Sequence, residues 1–226
     1  MEILYKDEFF IAVHKPSGLF VHRSSFDPKA DFIMRHVRDY VGNYIWPVHR
    51  LDRPTSGVVI FALSKEAAKL LGQKFSEKTI GKKYIAVVRG FTEDEGRIDY
   101  ALKEEKTSPL KDAVTDYKRL GTVEFENPVG RYKTSRFSLV EVKPETGRFH
   151  QIRKHFAHIF HPVLNDSVHG DGKQNRFIRE KFNINRLLLA STSLKFEHPF
   201  LEKSITIKAP VAFDMQQVID KMFMAS

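Results

Sequence analysis

Apolar residues along this 226-residue chain fall mostly into short blocks separated by glycine, proline and charged punctuation. Blocks at residues 2–5, 9–14, 58–63, 83–89, 135–142, 187–196 and 205–209 have the length and β-branched or aromatic content of strands. A spacing of three and four predicts helices over residues 31–41, 65–78, 148–159 and 212–222. In the second of these, Ser64 stands at the N-cap, and Ala67, Ala68, Leu71 and Phe75 share one face. Helices inserted between strands without strict alternation predict an α+β fold with a mixed, largely antiparallel sheet. No internal repeat or low-complexity linker interrupts the pattern. The most loop-like stretch, KEEKTSPLK at residues 103–111, is expected to separate two lobes of one catalytic domain, with a turn following at residues 126–130.

Composition narrows the function. With 42% hydrophobic residues the chain can bury a sizeable core. Lys and Arg outnumber Asp and Glu by 37 to 28, a net charge of +9 that favours a polyanionic partner, nucleic acid first. There is no cysteine, which excludes disulfide scaffolds, thiolate zinc sites and cysteine nucleophiles. No apolar run is long enough to cross a bilayer, and the first residues are acidic where a signal peptide is basic. A soluble cytoplasmic protein without a membrane partner is expected.

Three stretches carry candidate chemistry. HRLDRPTSG, residues 49–57, sets Asp52 between Arg50 and Arg53, just before an apolar strand. A loop carboxylate in surface ion pairs contributes little. Held beside cations in a tight turn, the same group stays ionised and can attack an electrophilic carbon or stabilise a cationic sugar. KKYIAVVRG puts Tyr84 at the start of a strand, where alternation should bury Ile85 and Val87; an aromatic there can pack or stack on a base. TGRFHQIRKHFAHIFHPVLND interleaves Arg148, His150, Arg153 and Lys154 with Phe149, Ile152, Phe156 and Ile159. On a helix the apolar four would face the core and the basic residues would project toward phosphates, with Arg153 turned inward as the partner of a buried carboxylate.

HKPSG, HRLDRPTSG, KKYIAVVRG, TGRFHQIRKH and LNDSVHG, with RLLLASTSLKFEHP after them, occur in the order seen in RluA-type pseudouridine synthases, and the chain resembles that family over nearly its whole length. The resemblance implies a catalytic domain of two subdomains around a basic cleft, which isomerises uridine to pseudouridine with no metal or redox cofactor. It implies Asp52 as the catalytic carboxylate, acting as covalent nucleophile or in a glycal route. It also implies Tyr84 on the target base, Arg153 paired with Asp52, and Arg50 beside the nucleophile. Arg148, His150 and Lys154 would hold RNA, with the uridine flipped out of its stack. Three positions depart from the family pattern: Ala190 and Ser191 stand where His and Ala are common, and His14 where Asn is frequent. Within the family the likeness is to members acting on tRNA, which implies uridine 65 in the standard tRNA numbering. The chain opens directly on catalytic-domain motifs, so residues 1–226 are expected to form one catalytic domain, working as a monomer without a separate amino-terminal RNA-binding domain.

Two other classes compete. His155, His158 and His161 near Asp166 and Asp171 suggest a metal-dependent nuclease, although no HExxH or comparable pattern accompanies them. Basic and aromatic residues alone would also suit a non-catalytic RNA-binding module, which leaves Asp52 unexplained.

Overall fold

The computed structural model describes residues 1–23, 27, 29–104, 107–130 and 132–224. In its first half the chain forms β1 (Glu2–Lys6), β2 (Phe10–Lys15), α1 (Ile33–Val41), β3 (Trp46–Pro47), β4 (Ser56–Ala62), α2 (Lys65–Ser76), β5 (Gly81–Arg89) and β6 (Glu95–Asp99). β7 (Val114–Phe125), β8 (Ser135–Pro144), α3 (Gln151–His158), α4 (Gly172–Phe182), β9 (Leu189–Glu197), β10 (Ser204–Lys208) and α5 (Phe213–Phe223) follow. The fold is α+β with a mostly antiparallel sheet, as the sequence predicts. The chain divides into two compact units: residues 1–82 with 191–211, and residues 83–190 with 212–226.

In the first unit β1 pairs with β2, β2 and β3 with β4, and β9 with β10, all antiparallel. Every residue of β4 is buried, so the strand reads as one continuous apolar run and not as an alternation. Its core joins Phe10, Val58, Ile60, Ala67, Leu71, Leu194, Phe196 and Ile207. α2 closes this core because Ser64 caps it, its side chain accepting the Ala67 N–H at 3.0 Å, while Ala67 and Leu71 face inward.

In the second unit β5, β8, β7 and β6 pair in that order, all antiparallel. Ala86, Val88, Tyr117, Val140, Val142, Ile152, Phe156 and Leu189 form its core. α5 buries Met215, Val218, Ile219 and Met222, the spacing of one helical face.

Four expectations are corrected. The loop at 103–111 lies inside the second unit, where Leu102 and Lys111 bridge its ends; the unit boundaries fall after Lys82, Ala190 and Val211 instead. β3, β6, β7 and α4 arise where no element is predicted. β6 (EGRID) buries only Ile98, and β7 buries only Thr115 and Tyr117 before alternating between exposed and half-buried positions, so neither carries an apolar block. On β5 Val87 is fully buried as expected, but Ile85 is only partly buried, and the core cluster is formed by Ala86 and Val88 with the partly buried Tyr84 packed against it. α3 starts at Gln151 and not at residue 148, which leaves Phe149 exposed where a buried face was expected; Arg153 turns inward as expected, and His155 is buried with it beside Ile152 and Phe156.

Candidate active site

Asp52 sits half-buried in the loop entering β4, and its carbonyl accepts the Thr55 N–H at 3.1 Å to close a turn. The turn is tied to the HKPSG loop at four points. Lys15, wholly buried at the end of β2, donates to the carbonyls of Pro16, Leu19 and Arg53 at 2.9, 2.6 and 3.1 Å. The Gly18 N–H donates to the Arg53 carbonyl at 2.9 Å, Arg53 Nε returns a bond to the Gly18 carbonyl at 2.9 Å, and Ser17 Oγ donates to the Pro54 carbonyl at 2.7 Å. Arg53 also lies over the Phe20 ring. Of the two arginines flanking Asp52, Arg53 thus serves the loop's architecture, while Arg50 is exposed.

Gly57 ends the motif for a steric reason. Its φ is +118°, and a Cβ there would lie 1.9 Å from the Ser191 carbonyl oxygen. Only glycine admits this approach of β9, and Ser191 takes part through its backbone. At the other end His49 is structural: Nε2 accepts the Ile60 N–H at 3.1 Å, and its ring stacks on Phe75. Burial, with the Lys82 charge added, pushes His49 down to about 3, so it stays neutral and keeps its acceptor. Burial likewise lowers Lys82 to about 8.

In the second unit the TGRFHQ turn is locked onto β7 by Gln151. Its amide donates to the Val114 carbonyl at 2.9 Å and to Thr115 Oγ1 at 3.0 Å, and its oxygen accepts from Thr146 Oγ1 at 2.6 Å and the Arg148 N–H at 2.9 Å. Arg148 Nε donates to the Asp112 carbonyl at 3.1 Å. His150 adopts left-handed backbone, φ 55°, stacks on Phe149, and shares a hydrogen bond of 3.0 Å with His169. Lys154 donates to the Lys103 carbonyl and lies over Phe149. Arg148, His150 and Lys154 therefore share one turn and the start of α3.

Arg153, 3% exposed, grips Asp166 with two bonds of 2.7 Å, from Nε to Oδ2 and from Nη2 to Oδ1. The expected inward arginine with a buried carboxylate is present, and one such carboxylate is Asp166, which the sequence offered only as a candidate metal ligand. Desolvation alone would raise its pKa; the Arg153 hydrogen bonds and charge and the N–H groups of His169 and Val168 outweigh this and hold it below the usual carboxylate range. Tyr84 is the fourth residue of β5, not its first, and packs partly buried against the core that α3 completes. Of the predicted site residues, Asp52 and Arg50 belong to the first unit and Tyr84, Arg148, His150, Arg153 and Lys154 to the second.

The histidines that suggested a metal centre are otherwise engaged. His155 Nε2 donates to the Tyr100 carbonyl at 3.0 Å, which leaves Nδ1 to accept from Thr115 at 2.9 Å; His158 stacks on Tyr100; His161 Nδ1 donates to the Arg89 carbonyl at 2.8 Å. Asp171 caps α4 and pairs with Arg89. Among the described residues no three His, Asp or Glu side chains gather as a metal-binding cluster.

Residues 9–158, most of the chain, match the RNA pseudouridylate synthase family, and the chain belongs to that family. It is therefore an isomerase that makes pseudouridine. Among its relatives, tRNA pseudouridine synthase C of Vibrio vulnificus is 44% identical over 98% of this chain and 95% of its own length, and tRNA pseudouridine synthase C of Haemophilus influenzae is 45% identical over 98% and 97%. The fold is shared with human RNA Pseudouridylate Synthase Domain Containing 1, TM-score 0.72 at 24% identity, which aligns over 94% of this chain and 84% of its own. Human RNA Pseudouridylate Synthase Domain Containing 4 gives 0.73 at 20% identity over 97% and 92%.

Proposed function

We propose that this enzyme isomerises a uridine of tRNA, at position 65 in the standard tRNA numbering, with Asp52 as the reacting carboxylate. The observation that carries the tRNA reading is the near full-length likeness to two relatives named tRNA pseudouridine synthase C. The +9 charge supports a polyanionic substrate. For Asp52, support comes from the effort spent on its loop: a buried ammonium, a second loop and a glycine approach hold a half-buried carboxylate in one place. A nucleophile or base needs such preorganisation.

In this reading Asp52 acts as an anion on the flipped uridine, by covalent attack or by removing a ribose proton. Arg153 is its cationic partner, Tyr84 stacks on the uracil, and Arg50, Arg148, His150 and Lys154 hold RNA. The glycosidic bond from N1 to C1′ breaks, the uracil turns, and a bond from C5 to C1′ forms while the C5 proton moves to solvent and N1 gains one. Composition and oxidation state are unchanged, so the chemistry calls for neither metal nor redox cofactor. In this reading the enzyme works on tRNA in the cytoplasm, as a monomer.

The test is to incubate purified protein with unmodified tRNA transcripts and with ribosomal RNA fragments, then to map pseudouridine. Modification at uridine 65 of tRNA is expected. Modification of ribosomal RNA with tRNA untouched would overturn the substrate while leaving the enzyme class.

A further inference from the structure

We propose that Asp166 is a positioning residue of the isomerisation, fixing the plane of the Arg153 guanidinium. The proposal rests on the reading that Arg153 serves Asp52. Asp166 is 2% exposed, and its carboxylate is secured before Arg153 reaches it: Oδ1 accepts the N–H groups of Val168 and His169 at 2.9 and 3.0 Å. Its backbone is secured as well. The Asp166 carbonyl accepts from Asn175 Nδ2 at 2.8 Å, and Asn175 Oδ1 takes the Asn165 N–H at 2.7 Å. Gly170 completes the wrap, since a Cβ there would lie 2.2 Å from the Asp166 carbonyl oxygen.

The segment itself hangs on β5. Arg89 N–H donates to the Pro162 carbonyl at 3.0 Å and Leu164 N–H to the Val87 carbonyl at 2.9 Å, so LNDSVHG is delivered from the strand that also carries Tyr84. An arginine has four rotatable side-chain bonds and no preferred plane of its own. Bidentate pairing removes that freedom, which a single charge contact would not. Both partners are desolvated, where an ion pair persists only if its remaining hydrogen-bonding positions are filled. The N–H groups of Val168 and His169 fill two of those on the Asp166 carboxylate, which is more than a surface ion pair receives.

The experiment measures single-turnover pseudouridine formation per folded enzyme, together with tRNA affinity, for Asp166→Asn, Arg153→Ala and the double variant. The expected result is a rate at least tenfold lower for Asp166→Asn, tRNA affinity within threefold of wild type, and less than twofold further loss when Asp166→Asn is added to Arg153→Ala. A wild-type rate for Asp166→Asn, or losses that multiply in the double variant, overturns the proposal. If Asp166→Asn does not fold, Arg153→Met and Arg153→Met/Asp166→Leu take its place, since the latter leaves no buried charge unpaired. Equal rates for those two support the proposal and a further tenfold loss in the double overturns it. Arg153→Ala or Arg153→Met at the wild-type rate would instead remove Arg153 from the reaction, and both readings of it would fall together.

Discussion

The ammonium of Lys15 and the carbonyl of Arg53 lie 3.1 Å apart, with no solvent reaching Lys15, so a buried cation holds the peptide that follows Asp52. The same ammonium holds the Leu19 and Pro16 carbonyls, which makes it the knot between two loops.

Lys15→Met keeps the length of the side chain and removes the donor. The Arg53 carbonyl keeps the Gly18 N–H, whereas the Pro16 and Leu19 carbonyls lose this donor; at about 1–3 kcal/mol each, an overall loss of roughly 2–6 kcal/mol is expected. Urea unfolding measures it. Pseudouridine formation by the folded fraction should fall at least tenfold as the Asp52 loop loosens; a variant as stable and active as wild type would show that the loops hold without the knot.

Two glycines on this loop pair should behave oppositely. At Gly57 a methyl group meets the Ser191 carbonyl oxygen at 1.9 Å on backbone of φ +118°, so Gly57→Ala should cost several kcal/mol and leave little folded protein. At Gly18, φ +88°, a methyl group meets nothing within 4 Å, so Gly18→Ala should cost only the backbone strain, about 1–2 kcal/mol. Thermal unfolding of the two variants side by side checks the contrast.

Those contacts mark how far the sequence could be read. Fully buried strands such as β4 and capped helices such as α2 announce themselves, because burial demands apolar blocks and Ser64 supplies the cap. α4 has little apolar content beyond Phe177, Ile178 and Phe182, and its signal was Asp171, whose side chain accepts the N–H groups of Lys173 and Gln174. Asp52, Tyr84 and Arg153 stand out in the sequence as motif positions. Lys15 was not singled out and Asp166 stood out only beside the candidate metal-binding histidines, although both lie inside the quoted motifs. Their roles depend on carbonyls and N–H groups that come together only on folding, and a lone Lys or Asp in a sequence reads as surface. The burial of His155 on α3 was hidden for the same reason: Thr115 and Tyr100 give it a polar interior, as Asp166 does for the inward Arg153.

His49 gives stability a pH dependence with a definite sign. Its pKa falls from 6.5 in the unfolded chain to about 3 in the fold, so below pH 6.5 the unfolded state binds a proton that the folded state refuses. Stability present above pH 6.5 is lost as pH falls toward 3, by up to about 1.4 kcal/mol per unit from this residue. His155, also lowered by burial, acts in the same sense. His49→Gln, which can still accept the Ile60 N–H, should flatten the dependence between pH 6.5 and 5; an unchanged slope in urea unfolding would assign it to other groups.

Tyr84→Phe preserves the ring against Ala86 and Val88 and removes the hydroxyl. Stability should stay within about 1 kcal/mol of wild type. If the hydroxyl takes the C5 proton, single-turnover rates should fall at least tenfold with tRNA affinity unchanged; a wild-type rate would leave Tyr84 the stacking role alone.

The central claim is that the carboxylate of Asp52 reacts. Asp52→Asn replaces one oxygen with nitrogen and keeps the shape, so the folded variant should bind tRNA within about tenfold of wild type. The decisive measurement is single-turnover pseudouridine formation by purified Asp52→Asn on unmodified tRNA. The account predicts bound tRNA and no pseudouridine, whereas conversion at a substantial fraction of the wild-type rate would contradict it.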